Sequence, residues 1–164
     1  MFALSVGNPA CTTVRDPSDA TMNEALQTIC SLDDQAFLEW SDLKFRLGYK
    51  YDLSIMLDDI VAMVLEVDSS EAGTYELDWP SSGFPYHWTL RWNGNEMEIV
   101  ARARDEPGAK DLTGREQIHI DRRGFLQEWQ TLLRLILSCL ENAGYGCGSL
   151  EGDTRLRQAA IQAR

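Results

Sequence analysis

The sequence predicts an α+β fold, and three observations predict it. Apolar residues alternate in several short runs, two of them joined by Asn93-Gly94. Apolar residues also recur at helical spacing over 53–64 and 125–140. Most of the strands follow one another directly between these two helices, which favours antiparallel pairing over crossover connections. The expected architecture is an antiparallel sheet of about four to five strands with helices packed mainly on one face. A chain of 164 residues suits one such domain. The expected organisation is an irregular lead-in over 1–15, a single domain over 16–144 and a polar tail over 145–164.

Residues 1–15 carry Gly7, Asn8 and Pro9 and read as irregular. Asp16-Pro17 has the form of a helix start, with Met22, Leu26, Ile29 and Cys30 following at helical spacing. Residues 33–40 suit either a short helix or a loop. From 43 to 51 the chain alternates, with Leu43, Phe45, Leu47, Tyr49 and Tyr51 on one side and Lys44, Arg46 and Lys50 on the other. This predicts a half-buried strand. Ser54 then caps a helix to about Val67, whose apolar stripe is Leu53, Met56, Leu57, Ile60, Val61 and Val64. Asp58, Asp59 and Glu66 fall off that stripe.

Tyr75, Leu77 and Trp79 alternate in a strand that stops at Pro80, and 81–85 is a turn-rich connector. Trp88, Leu90 and Trp92 alternate, then Asn93-Gly94, then Met97, Ile99 and Ala101. Asn-Gly between two such runs predicts a hairpin with a type I′ turn. Residues 105–115 read as a polar loop and 117–121 as a strand with Ile118 and Ile120 inward. The strongest helix pattern covers 125–142, ends before Gly144 and presents a broad apolar face. The tail from Gly144 is polar, either disordered or weakly helical from Thr154.

Charge narrows the function classes. The formal charge is -11. Residues 1–101 hold 17 acids and 5 bases, and residues 102–164 hold 9 acids and 10 bases. Clustered Lys and Arg, which nucleic acid and anionic membrane both require, are missing from the acidic part. Between Asp52 and Glu98 there are ten acids and one base, Arg91. Glu76 and Asp78 share one strand face and Glu96 and Glu98 another, so an acidic patch is expected if those strands are neighbours. No small-molecule site or cofactor motif is expected. Gly144-Tyr145-Gly146-Cys147-Gly148 follows a helix instead of preceding one, so it makes no phosphate cradle.

Four cysteines (Cys11, Cys30, Cys139, Cys147) and two histidines (His87, His119) show no zinc-type spacing. Cys30 and Cys139 lie in helical apolar patterns and read as core thiols. His119 points to the outer face of its strand. Neither histidine is paired with a nucleophile by any local pattern, and the chain reads as a non-enzyme. No secretory apolar segment and no spanning run is visible, so the expected compartment is the cytoplasm.

Acids and aromatics together suit a surface that meets a basic protein. The expected contact residues are Asp58, Asp59, Glu66, Asp68, Glu71, Glu76, Asp78, Glu96 and Glu98, with Trp79, Phe84 and Tyr86 exposed in and around the connector. The stretch from Trp88 to Arg104 with its Asn93-Gly94 hairpin, the strand at Ile118 and Ile120, and the helix carrying Trp129 together resemble bacterial immunity proteins of polymorphic toxin and secretion-system effector pairs. That resemblance implies a non-catalytic antidote that occludes a cytoplasm-acting toxin, a nuclease being the natural basic partner. The alternative expectation is an acidic secretion chaperone that uses the apolar face of the 125–140 helix for dimerisation or to hold an effector.

Overall fold

The computed structural model describes residues 1–107 and 109–161. Gly108 of the expected loop and 162–164 of the expected tail lie outside them. In chain order the elements are β1 (Phe2–Ser5), α1 (Met22–Ile29), β2 (Gln35–Trp40), β3 (Leu43–Gly48), a π-helical turn (Tyr49–Leu53), α2 (Ser54–Ser69), β4 (Ala72–Asp78), β5 (Tyr86–Asn93), β6 (Glu96–Ala103), β7 (Gln117–Asp121), α3 (Arg122–Asn142) and α4 (Asp153–Ala160). This is an α+β fold with antiparallel pairing throughout its named strands. The strands form two sheets, β1-β2-β3 and β4-β5-β6-β7.

The second sheet arises at the amino end, where sequence reading placed no strand. Phe2 and Leu4 are buried and pair with Trp40 and Leu38 of β2. Residues 35–40 are thus a strand, neither helix nor loop, with Ala36, Leu38 and Trp40 turned inward. Helix α1 starts at Met22. Thr21 caps it, accepting from the Glu24 amide, while the Glu24 carboxylate accepts from the Thr21 amide. That reciprocal box satisfies otherwise orphaned donors. Asp16 instead accepts from the amide and hydroxyl of Ser18, closing a local turn.

Strand β3 ends at Gly48, and the chain tightens through the π-helical turn directly into α2. Leu53 is already helical, so no free amino end remains for Ser54 to cap. The Ser54 hydroxyl donates back to the Lys50 carbonyl at 2.6 Å. At the other end of α2, Arg122 donates to the carbonyls of Val67 and Ser70. The β5–β6 hairpin is present, but Asn93 pairs with Glu96 and the turn is Gly94-Asn95. Gly94 has φ +59° and Asn95 has no positive φ, the pattern of a type II′ turn. Helix α3 starts at Arg122 with Asp121 as its cap. It ends as expected: Gly144 has φ +99°, its amide donates to Glu141, and the Tyr145 amide donates to Leu140. The tail is not loose over its described part, because Leu156, Ala159 and Ala160 of α4 are buried.

The inner faces of the two sheets and α3 meet in a cluster of aromatic rings. Trp88 lies 5.5 Å from Trp40, 5.4 Å from Trp79 and 6.4 Å from Trp129, centroid to centroid. Phe2 reaches Phe125 at 5.4 Å, and Phe45 of the small sheet reaches Phe84 and Tyr86 at 5.3 and 5.4 Å. The polar loop before β7 straps the sheets together. Trp40 Nε1 donates to the Arg115 carbonyl, Arg115 pairs with Asp42, and Lys110 Nζ donates to the Lys44 carbonyl. The apolar face of α3 is used in this core: Phe125, Trp129, Leu132, Leu133, Ile136 and Leu140 are all buried. The face that the chaperone expectation needed is therefore not free. Among the described residues no helix is long and apolar enough to cross a membrane.

Removing a ring from this cluster leaves a cavity between two sheets and a helix. Trp88→Ala is expected to cost about 3–5 kcal/mol in urea-induced unfolding. Thr21→Ala, which removes only a cap, is expected to cost about 1 kcal/mol. Equal costs for the two would show that the ring cluster does not hold the layers together.

Candidate functional site

The expected contact residues fall into three groups. Trp79, Phe84 and Tyr86 belong to the core, at 0%, 2% and 1% exposure. They are not surface anchors. The connector folds back on itself, with the Trp79 amide donating to the Tyr86 carbonyl and the Phe84 amide to Ser81. This brings Phe84 against Tyr86 at 4.7 Å in a tilted pair and edge-on to Trp79 at 5.0 Å. The Tyr86 hydroxyl finds its polar partner in Lys110, whose amide donates to it at 2.7 Å.

Glu76, Asp78, Glu96 and Glu98 do lie on the outer face of the larger sheet. The two pairs are not adjacent, because β5 runs between β4 and β6. Neighbouring side chains engage Glu76, Asp78 and Glu98, while Glu96 stays exposed without a side-chain partner among the described residues. Glu76 meets His87 Nε2 at 2.5 Å and accepts from the Thr89 hydroxyl at 2.9 Å. Asp78 pairs with Arg104 at 3.2 Å, and Glu98 pairs with Arg91 at 3.3 Å and accepts from Gln117. Partial desolvation works to raise the Glu76 carboxyl, but the bonds from Thr89 and His87 outweigh it and hold it below the usual range. The result is a mixed-charge lattice, not an acidic patch. Both histidines stand on this face, and His119 contacts Gln117. Among the described residues no group of three His, Cys, Asp or Glu side chains is arranged to hold a metal ion.

The third group is different. Asp58, Asp59, Glu66 and Asp68 are exposed on α2, which carries no Lys or Arg, and Glu71 follows it. Among the described residues none of these five acids makes an ion pair within 4.0 Å. Their charges are felt locally. The Tyr75 hydroxyl is raised by burial and then by the charges of Asp59 and Glu66, against an opposing effect of Arg155. Asp68 and Glu66 also stand near the negative end of the α2 dipole, where carboxylates are unfavourable for helix stability.

Two apolar side chains share this surface. Tyr51 is 51% exposed and Ile55 is 43% exposed. They lie four residues apart and lead into Asp58, Asp59 and Glu66 at helical spacing, so they share one face. The π-helical turn sets this alignment by starting the helical path before α2 itself. Asp52 anchors the turn, accepting from the Gly48 amide at 2.7 Å and from the Ser81 hydroxyl. Beside Tyr51 is a cleft of about 360 Å³, lined among others by Leu32, Lys50, Asp52, Ser81 and Gly83. Leu32 on its rim is 67% exposed. Asp58, Asp59 and Glu66 continue from this apolar pair along α2, and the charge of Arg155 opposes theirs only in part.

Tyr51, Ile55 and Leu32 are not among the expected contact residues, yet all three side chains are exposed. Ile55 carried a legible signal, since it is a large apolar residue off the buried stripe of α2. Comparison with family models, characterised proteins and solved structures finds no match to this chain.

Asp58 gives this surface a measurable pH dependence. A methyl group on Gly152 would stand 3.2 Å from its carboxylate oxygen, so α4's leading turn crowds it. Burial raises the Asp58 carboxyl first, the charge of Asp59 raises it further, and Arg155 partly opposes them. An acid whose folded-state value is raised destabilises the fold where it is ionised, and the penalty disappears as pH falls through that value. Asp58→Asn is therefore expected to melt higher than the parent at about pH 7, with the gain shrinking toward about pH 4. A lower melting temperature for the variant at neutral pH would contradict the assignment.

Proposed function

We propose that this chain is a non-catalytic binding protein that neutralises a cognate toxin, a basic enzyme acting in the cytoplasm such as a nuclease, by covering its active site. The reading is carried by the α2 face, where exposed Tyr51 and Ile55 lead into Asp58, Asp59 and Glu66, acids with no ion-pair partner among the described residues. Nuclease active sites are basic because they bind phosphates, and an array of fixed carboxylates is their electrostatic complement. The apolar pair supplies what charge alone does not, a desolvated centre that slows dissociation. The outer face of the larger sheet contributes less, because three of its four acids, Glu76, Asp78 and Glu98, already have cross-strand partners.

The test starts from the tagged chain captured at low salt with its co-purifying partner, followed by binding kinetics. The double variant Asp59→Lys, Glu66→Lys is expected to lower the association rate by about tenfold and flatten its salt dependence. Tyr51→Ala with Ile55→Ala is expected to raise the dissociation rate, with a cost of about 2 kcal/mol or more. The captured enzyme should lose its activity at one-to-one stoichiometry. Kinetics unchanged in both variants would move the interface off α2. A partner that stays active when saturated would contradict neutralisation.

A further inference from the structure

Three thiols from distant parts of the chain meet beside the amino-terminal segment. Cys11 Sγ lies 3.0 Å from Cys139 Sγ on α3 and 3.7 Å from Cys30 Sγ at the end of α1. The segment that carries Cys11 is held in place by its backbone. The Ala10 amide donates to the buried Asp34 carboxylate at 2.8 Å, and the Thr12 amide donates to the Ile29 carbonyl at 2.8 Å. Cys11 is therefore fixed over the seam between α1 and α3. All four cysteines are free thiols, and Cys147 is exposed and takes no part in these contacts.

We propose that Cys11 and Cys139 are a site of reversible disulfide modification, with Cys30 placed as a third thiol that can exchange into it. The two sulfurs need to approach by only about 1 Å to reach bonding distance. The oxidant is a low-molecular-weight disulfide. The Cys11 sulfur attacks one of its sulfurs, the reagent's S–S bond breaks, and the departing thiolate takes up the proton that Cys11 lost. The Cys139 sulfur then attacks Cys11 in the mixed disulfide, and the second reagent thiol leaves with the Cys139 proton. Two protein thiols are oxidised and one reagent disulfide is reduced to two thiols. Cys11 is the entry point because it sits between the other two, in contact with both; Cys30 is buried, and Cys139 is half-buried like Cys11. Burial raises the Cys30 thiol, and burial together with the Cys11 contact raises Cys139 to about 12, so both wait as thiols. The bond would join residues 128 apart in sequence, a large loop whose closure restricts the unfolded chain strongly.

Treating the full chain with oxidised glutathione, alkylating free thiols and mapping peptides without reduction tests this. The expected result is a peptide pair joined through Cys11 and Cys139, about 2 Da lighter than the sum of its thiol forms and reversed by dithiothreitol. The melting temperature should rise by roughly 5–15 °C on oxidation and fall back on reduction. Cys30→Ser should keep the link, and Cys139→Ser should leave Cys11 as a glutathione adduct or joined to Cys30. Cys11 and Cys139 both recovered as alkylated thiols while Cys147 carries glutathione would overturn the proposal. So would a wild-type link between Cys11 and Cys30 in place of Cys139. Mapping of the wild-type chain decides the matter even if a variant fails to fold.

Discussion

The packing of aromatic rings between the two sheets and α3 is the constraint on which the remaining structure depends. Two small sheets and four short-to-medium helices offer few large apolar faces, and the rings fill the space where those faces meet. Trp88 touches rings from the small sheet, from β4's end and from α3, so each layer is positioned against the same side chain. Rings at these separations contribute about 0.5–1.5 kcal/mol per pair beyond their buried area. The indole N–H groups of Trp79 and Trp129 are buried without a protein hydrogen-bond partner, a cost the cluster absorbs. The loop strap at Lys110 and Arg115 closes the same space from outside.

That packing decides what is left for the surface. With Trp79, Phe84 and Tyr86 inside, the aromatic contribution to any interface has to come from elsewhere. Tyr51 is the exposed aromatic of the π-helical turn, one turn before Ile55 and beside the cleft that Leu32 flanks. The acids separate in the same way. On the sheet Glu76, Asp78 and Glu98 are engaged by neighbouring side chains, whereas those on α2 have no bases within their helix to satisfy them. The overall charge of -11 therefore understates how local the electronegative surface is. The cysteine trio lies where the amino-terminal segment crosses α1 and α3, and Cys30 is two residues from Leu32. The redox chemistry proposed there would stiffen the scaffold next to the cleft.

Much of the fold was legible because its signals are local. Period-2 runs flanking Asn93-Gly94 mark a hairpin whatever surrounds them, while the turn itself moved by one residue to Gly94-Asn95 and changed from the expected type I′ to the type II′ pattern. The stripes of α2 and α3 and the Gly144 stop are likewise written within a few turns of chain. The amino-terminal sheet was hidden because β1 has four residues and draws its stability from β2, far along the sequence. The capping box at Thr21 and Glu24 was readable, but Asp16-Pro17 supplied a competing start that the chain uses as a turn. The site was harder to read than the fold. A serine- and proline-rich connector implies exposure, and nothing local reveals that Phe45 waits to pack on Phe84 and Tyr86. Alternation carried through Tyr49 and Tyr51 masked the change from strand to helix that turns Tyr51 outward.

Side-chain footprinting with hydroxyl radicals tests the central claim most directly, since that claim is about which side chains are inside and which face a partner. In the free chain Tyr51, Ile55 and Leu32 should be oxidised readily, while Trp79, Phe84 and Tyr86 stay unmodified. In the complex with the captured partner, modification of Tyr51 and Ile55 should fall and that of residues on the outer face of β4–β6 should persist. Heavy labelling of Trp79, Phe84 or Tyr86 in the free chain, or protection confined to the sheet face in the complex, would contradict the account.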